Sequence, residues 1–81
     1  MNQTVAARVQ RIAAHVFGLP PQRVTPQLSP RDIDNWDSVH QVSLVLSLEQ
    51  ELGVEIEPEE IEQMENIEAI VRIVEKKLGD Q

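Results

Sequence analysis

Three observations predict an all-α bundle of three main helices and one short helix. Apolar residues recur at a helical period in three separated segments. Each of those segments is bracketed by residues suited to start and stop a helix. No segment alternates polar and apolar residues as a half-buried strand would, and the "VEI" of 54–56 is too short to carry a sheet.

The first helix is expected over 4–17, where Val5, Val9, Ile12 and Val16 form one stripe. Thr4 suits its start and Gly18 the position just past its end. A long ordered loop follows, because four of the five prolines lie between Pro20 and Pro30. Val24, Leu28 and Ile33 are spaced to pin that loop to the core. The second helix is expected over 38–52, ending at Gly53. Pro58 suits the first position of a short third helix over 58–64, with Glu59 and Glu60 near its positive end. The fourth runs over 67–78, with Asn66 as cap, Gly79 as terminator, and Lys76 and Lys77 at its negative end. Its buried stripe is Ile67, Ile70, Val71, Val74 and Leu78. Residues 1–81 are read as one domain, a length that allows one small core.

Composition narrows the function. Phe17 and Trp36 are the only aromatic residues, so the core is aliphatic. The chain has no cysteine, which excludes disulfides, thiolate metal sites and a protein-borne thiol. No apolar run reaches the roughly 20 residues of a membrane span, and no secretory leader is apparent; a monomer working in the cytoplasm is expected. Residues 1–31 carry four Arg and no acid, a charge of +4. Residues 32–81 carry 14 acids against Arg72, Lys76 and Lys77, a charge of −11. Such a segment repels nucleic acid and attracts a basic protein surface.

The second helix has more apolar surface than one core face needs. At about 100° per residue, Leu44, Val45, Leu48 and Leu52 form one wide stripe. Val39, Val42 and Leu46 form another on the opposite side, near Ser43, Glu49 and Gln50. Either the helix is buried all round, or the second stripe is an exposed strip for partner binding.

Ser38 opens that helix. "SVHQ" matches a capping box of Ser38 with Gln41, and Asp37 is an equally good cap. A nucleophilic role fails because His40, two positions on, points to a different face, and no G-x-S-x-G elbow is present. "DIDNWD" begins like a calcium loop but lacks the glycine and the final glutamate, so no metal is expected. An exposed serine at the head of an apolar strip could instead be modified; local chemistry does not name the modification.

The motif "DSV" at 37–39 resembles the Asp-Ser-Leu of the acyl carrier protein family, and the resemblance runs from the first helix through "WDSVHQVSLVLSLEQELGVEIEPEEIEQMENIEAIVRIVEKKL". It implies that Ser38 bears a 4′-phosphopantetheine arm whose thiol holds acyl or aminoacyl groups. Asp37 would support the modification by helping to place the transferase and its metal. Val39, Val42, Leu46 and Glu49 would face partners, with Glu55, Glu59 and Glu60 as neighbouring acids, and Leu44, Leu48, Leu52, Ile67 and Val71 would form the core. The implied partners are a phosphopantetheinyl transferase, an acyl- or aminoacyl-loading enzyme and a downstream synthase or transferase; the chain itself would not be an enzyme. Two positions depart from the family pattern: Val39 stands for the usual Leu, and His40 stands where an acid is common. Trp36-Asp37-Ser38 looks more like carriers of specialised pathways, polyketide, hybrid or related, than like the housekeeping carrier. A peptidyl carrier of nonribosomal synthesis has a similar fold but usually a Gly before its serine. The rival from another class is a cofactor-free acidic adaptor in which Ser38 only caps a helix.

Overall fold

The first helix begins at a threonine and stops at a glycine, each for a physical reason. In the computed structural model, which describes residues 4–79, α1 spans Val5–Phe17. The Thr4 hydroxyl accepts from the Ala7 amide at 3.1 Å, satisfying one of the donors a helix start leaves open. Gly18 then takes a left-handed conformation, φ 69°, that a residue with a Cβ adopts at a cost. Residues 1–3 and 80–81 of the expected domain lie outside the described residues.

Helix α2 spans Ser38–Leu52, α3 Pro58–Glu62 and α4 Ile67–Lys77. No strand occurs among the described residues. Helix α2 runs antiparallel to α1. The Arg8 guanidinium at one end of α1 donates to the Glu51 carbonyl, and Phe17 at the other end stacks near Trp36 and His40. Helix α4 packs on α1 from another side. The third helix is shorter than expected, ending at Glu62, which leaves Met64 in the connection to α4, 4 % exposed.

The proline-rich loop is ordered through its backbone. A 3-10 turn, Pro21–Arg23, interrupts it, a feature the proline count did not predict. The Gln10 side-chain amide donates to the carbonyls of Pro21 and Val24. The Asn35 amide donates to the Phe17 carbonyl. The amides of Ile67 and Glu68, which have no partner within their own helix, donate to the Leu28 and Pro26 carbonyls. The loop thus satisfies the start of α4, and Val24 and Leu28 hold it down from beneath.

The core is aliphatic, as expected, with Val9, Leu44, Leu48, Ile70 and Val74 at 0 % exposure and Phe17 and Trp36 at its loop end. Burying each such aliphatic side chain contributes about 1.5–3 kcal/mol. Val71 is half-buried beside the core rather than inside it. Leu78 does not complete the α4 stripe: it is the residue past the last helical turn and is 40 % exposed.

Candidate functional site

The junction of the long loop with α2 concentrates unusual chemistry in six residues. Asp37 has extended backbone, φ −106° and ψ −173°, and is the cap. Its carboxylate accepts from the His40 amide at 2.9 Å. The same oxygen lies 2.8 Å from His40 Nδ1. The amide hydrogen bond, then the imidazole, hold the Asp37 carboxyl below its ordinary value. Ser38 is therefore the first residue of the helix, and the Ser38–Gln41 capping box does not form; the geometry awards the cap to Asp37.

Relieved of a capping role, the two residues of that box diverge. The Ser38 side chain is exposed, and none of the described residues hydrogen-bonds its hydroxyl. A phosphodiester on that oxygen would stand at the positive end of α2, a setting that favours anions. The Gln41 side chain turns inward. Its carbonyl accepts from Trp36 Nε1 at 2.6 Å, and its amide nitrogen lies 3.8 Å from the Met64 sulfur. Trp36 anchors the end of the loop, 6 % exposed and 4.9 Å from Phe17, ring to ring.

Beyond Ser38, α2 divides as the 100° spacing predicts. Leu44, Val45, Leu48 and Leu52 are buried, whereas Val39, Val42 and Leu46 are 71 %, 58 % and 51 % exposed. The alternative of a helix buried all round is excluded. An open apolar strip thus runs from Ser38 along the outer face of α2.

The acids that the resemblance assigns to a partner face fall into two kinds. Glu55 and Glu59 are exposed. Glu49 is half-buried, and its carboxylate accepts from the Ile56 amide at 2.9 Å, tying the turn after α2 back to that helix. Glu60 accepts from the Glu57 amide and pairs with Lys77 at 2.7 Å. Lys77 first, then the Glu57 amide, lower the Glu60 carboxyl, and Glu60 in turn raises the Lys77 amine. Sequence reasoning missed these internal ties. It also missed the two contacts of His40 with Asp37, for which the signal was present: Asp at a cap with His three residues on.

No catalytic arrangement assembles around Ser38. The His40 ring is turned to Asp37, and no group of three or more Asp, Glu or His side chains converges as a metal site among the described residues. The site is thus a short helical bundle that offers an unengaged serine at the head of an open apolar strip, a geometry open to modification and to partner binding.

Comparison with known proteins supplies the class. The family profile described as "Phosphopantetheine attachment site" matches residues 7–74. The acyl carrier protein of Thermosynechococcus vestitus is 33 % identical over 80 residues, covering 98 % of this chain and 99 % of its own. That of Rubrobacter xylanophilus is 33 % identical over 73 residues, 90 % of each chain. Among solved structures, the holo acyl carrier protein of Geobacter metallireducens superimposes with a TM-score of 0.84 at 28 % identity, covering 93 % of this chain and 86 % of that one. The acyl carrier protein of Enterococcus faecalis gives 0.72 at 33 % identity, covering 93 % and 99 %.

The chain belongs to the acyl carrier protein family. It is a carrier, not an enzyme, and its cofactor is covalently attached 4′-phosphopantetheine. Proteins of this family work with transferases and synthases. No helix among the described residues is long and apolar enough to cross a membrane.

Proposed function

We propose that Ser38 is the attachment residue, and that the chain, as one carrier domain over 1–81, presents thioester-bound acyl or aminoacyl groups to partner enzymes. The observation that carries this reading is the exposed, unengaged Ser38 hydroxyl at the first position of α2. Asp37 is a positioning residue for the modification; its carboxylate, fixed by the His40 amide, lies one residue from the hydroxyl.

Val39, Val42 and Leu46 supply the apolar part of the docking face. Glu55 and Glu59 supply its free charge, while Glu49 and Glu60 shape the face through their internal ties. The partners are a phosphopantetheinyl transferase, a loading enzyme and a synthase or transferase with basic docking surfaces. A specialised pathway is favoured by Trp36-Asp37-Ser38 alone, while the relatives above bear the general family name. The setting we propose is a cytoplasmic monomer, a reading that rests on composition.

Incubation with coenzyme A and a broad-specificity phosphopantetheinyl transferase, followed by intact mass measurement, tests the attachment. The mass of one arm is expected on the native chain and none on Ser38→Ala. No gain with several transferases would favour the cofactor-free adaptor. A gain that survives Ser38→Ala would move the attachment elsewhere.

A further inference from the structure

The carrier reading leaves Gln41 unexplained. At about 100° per residue it falls between Leu48 and Leu52 on the core stripe of α2, so a polar amide heads an apolar row. A half-buried amide needs partners for both its carbonyl and its N–H groups. Here the carbonyl takes the Trp36 indole N–H and the NH₂ approaches the Met64 sulfur, a weak acceptor. Trp36 and Met64 are 6 % and 4 % exposed, so the amide spans the seam between the loop and the connection before α4.

This bridge faces an open hollow of about 420 Å³ that reaches Ser38, lined by Pro30, Trp36, Asp37, Ser38, Gln41 and Met64. Gln41 and Trp36 line the hollow together with Ser38, so a group attached to Ser38 that entered it would lie against the Gln41–Trp36 bond. A saturated alkyl chain passing there would separate Gln41 from Trp36. It offers no acceptor in exchange, and a buried indole N–H would be left unpaired. A chain bearing a carbonyl, hydroxyl or amide could displace Gln41 and accept from Trp36 Nε1 itself.

We propose that Gln41, held by Trp36, determines cargo placement: it keeps plain alkyl chains out of the core and lets the hollow receive groups that carry hydrogen-bond acceptors. The substrate class this selects is oxygenated or amide-bearing acyl groups, such as hydroxyacyl and aminoacyl thioesters. The inference rests on attachment at Ser38.

The test uses the intact chain loaded by a phosphopantetheinyl transferase from octanoyl-coenzyme A or 3-hydroxyoctanoyl-coenzyme A. Intact mass first verifies loading; failure there counts against Ser38 attachment and is distinct from the outcomes that follow. Trp36 is the only tryptophan, so its indole N–H gives one NMR resonance. With octanoyl cargo, that resonance is expected to match the holo form, and hydroxylamine is expected to cleave the thioester as fast as octanoyl-pantetheine. With hydroxyoctanoyl cargo, the resonance is expected to shift. In Gln41→Ala no bond remains to be broken, so octanoyl cleavage is expected to slow by about tenfold, the scale set by one unpaired buried donor. Slow octanoyl cleavage with a shifted indole in the native chain overturns the proposal, as does unchanged cleavage in a folded Gln41→Ala. The native-chain measurements decide the matter if that variant does not fold.

Discussion

The assignment of Leu46 to a docking face makes a numerical demand. Leu46 is 51 % exposed in the free chain. Leu46→Ala removes three carbons, each contributing about 0.8 kcal/mol when fully buried. Half of that effect is still to be gained on docking, so the variant loses about 1.2 kcal/mol of binding, roughly sevenfold in affinity. The same change perturbs folding little, because surface substitutions stay within about 0.5 kcal/mol and alanine favours the helix. Two measurements on one variant separate the roles: urea unfolding for stability, and kcat/KM for coenzyme-A-dependent modification at limiting carrier. The reasoning fails if kcat/KM changes less than twofold in each of Val39→Ala, Val42→Ala and Leu46→Ala. It also fails if Leu46→Ala lowers unfolding stability by more than about 2 kcal/mol, the range of core truncations.

Three further outcomes follow from the same geometry. Leu48→Ala, at a site with no exposure, is expected to cost about 2–5 kcal/mol, seen as a large fall in Tm or loss of folding. Asp37 and Glu60 titrate below their ordinary values of 3.8 and 4.5, so their stabilisation is full above those values and disappears as pH falls through the lowered ones. Lys77 titrates above 10.5, so its contribution is full below that pH and disappears as alkaline pH passes the raised value. Unfolding curves of Glu60→Gln should be flatter at both extremes. Finally, Glu55→Lys with Glu59→Lys should slow association with a basic partner at low salt and weaken its salt dependence, leaving stability nearly unchanged; equal on-rates by stopped flow would remove the steering role.

What could be read from the sequence, and what could not, divides along the range of the interactions. The bounds of α2 were legible because an Asp-Ser start and Gly53 bracket an uninterrupted helical run. Its two faces were legible because helical periodicity is geometry, not context. The cap was not, since Asp37 and Ser38 have equal local chemistry and only the extended backbone of Asp37 decides between them. Gln41 was misread as a capping partner because its real partners, Trp36 and Met64, come from two other segments. The acids were read as one uniform rim, whereas Glu49 and Glu60 are bound to Ile56 and Lys77. Leu78 was assigned to the core because a stripe carries no information about where its neighbours end.

The strip and the charge are two halves of one solution. Three exposed aliphatic residues in a row on one helix invite self-association, and nothing in their own chemistry distinguishes a partner enzyme from a second copy of the chain. Charge supplies the distinction. A second copy brings the same excess, −11 over residues 32–81, and with it a repulsion that reaches farther than apolar contact. A basic partner meets attraction over the same distance. The ties that hold Glu49 and Glu60 do not undo this. The Ile56 amide partner brings no net charge to Glu49, and Lys77 pairs with Glu60 while acting more weakly on Glu57 and Glu55, one positive charge against an excess of acids. On the proposed reading, acids that penalise the wrong partner allow an apolar docking strip to stay open beside Ser38, and the same separation would keep Ser38 accessible to a modifying enzyme.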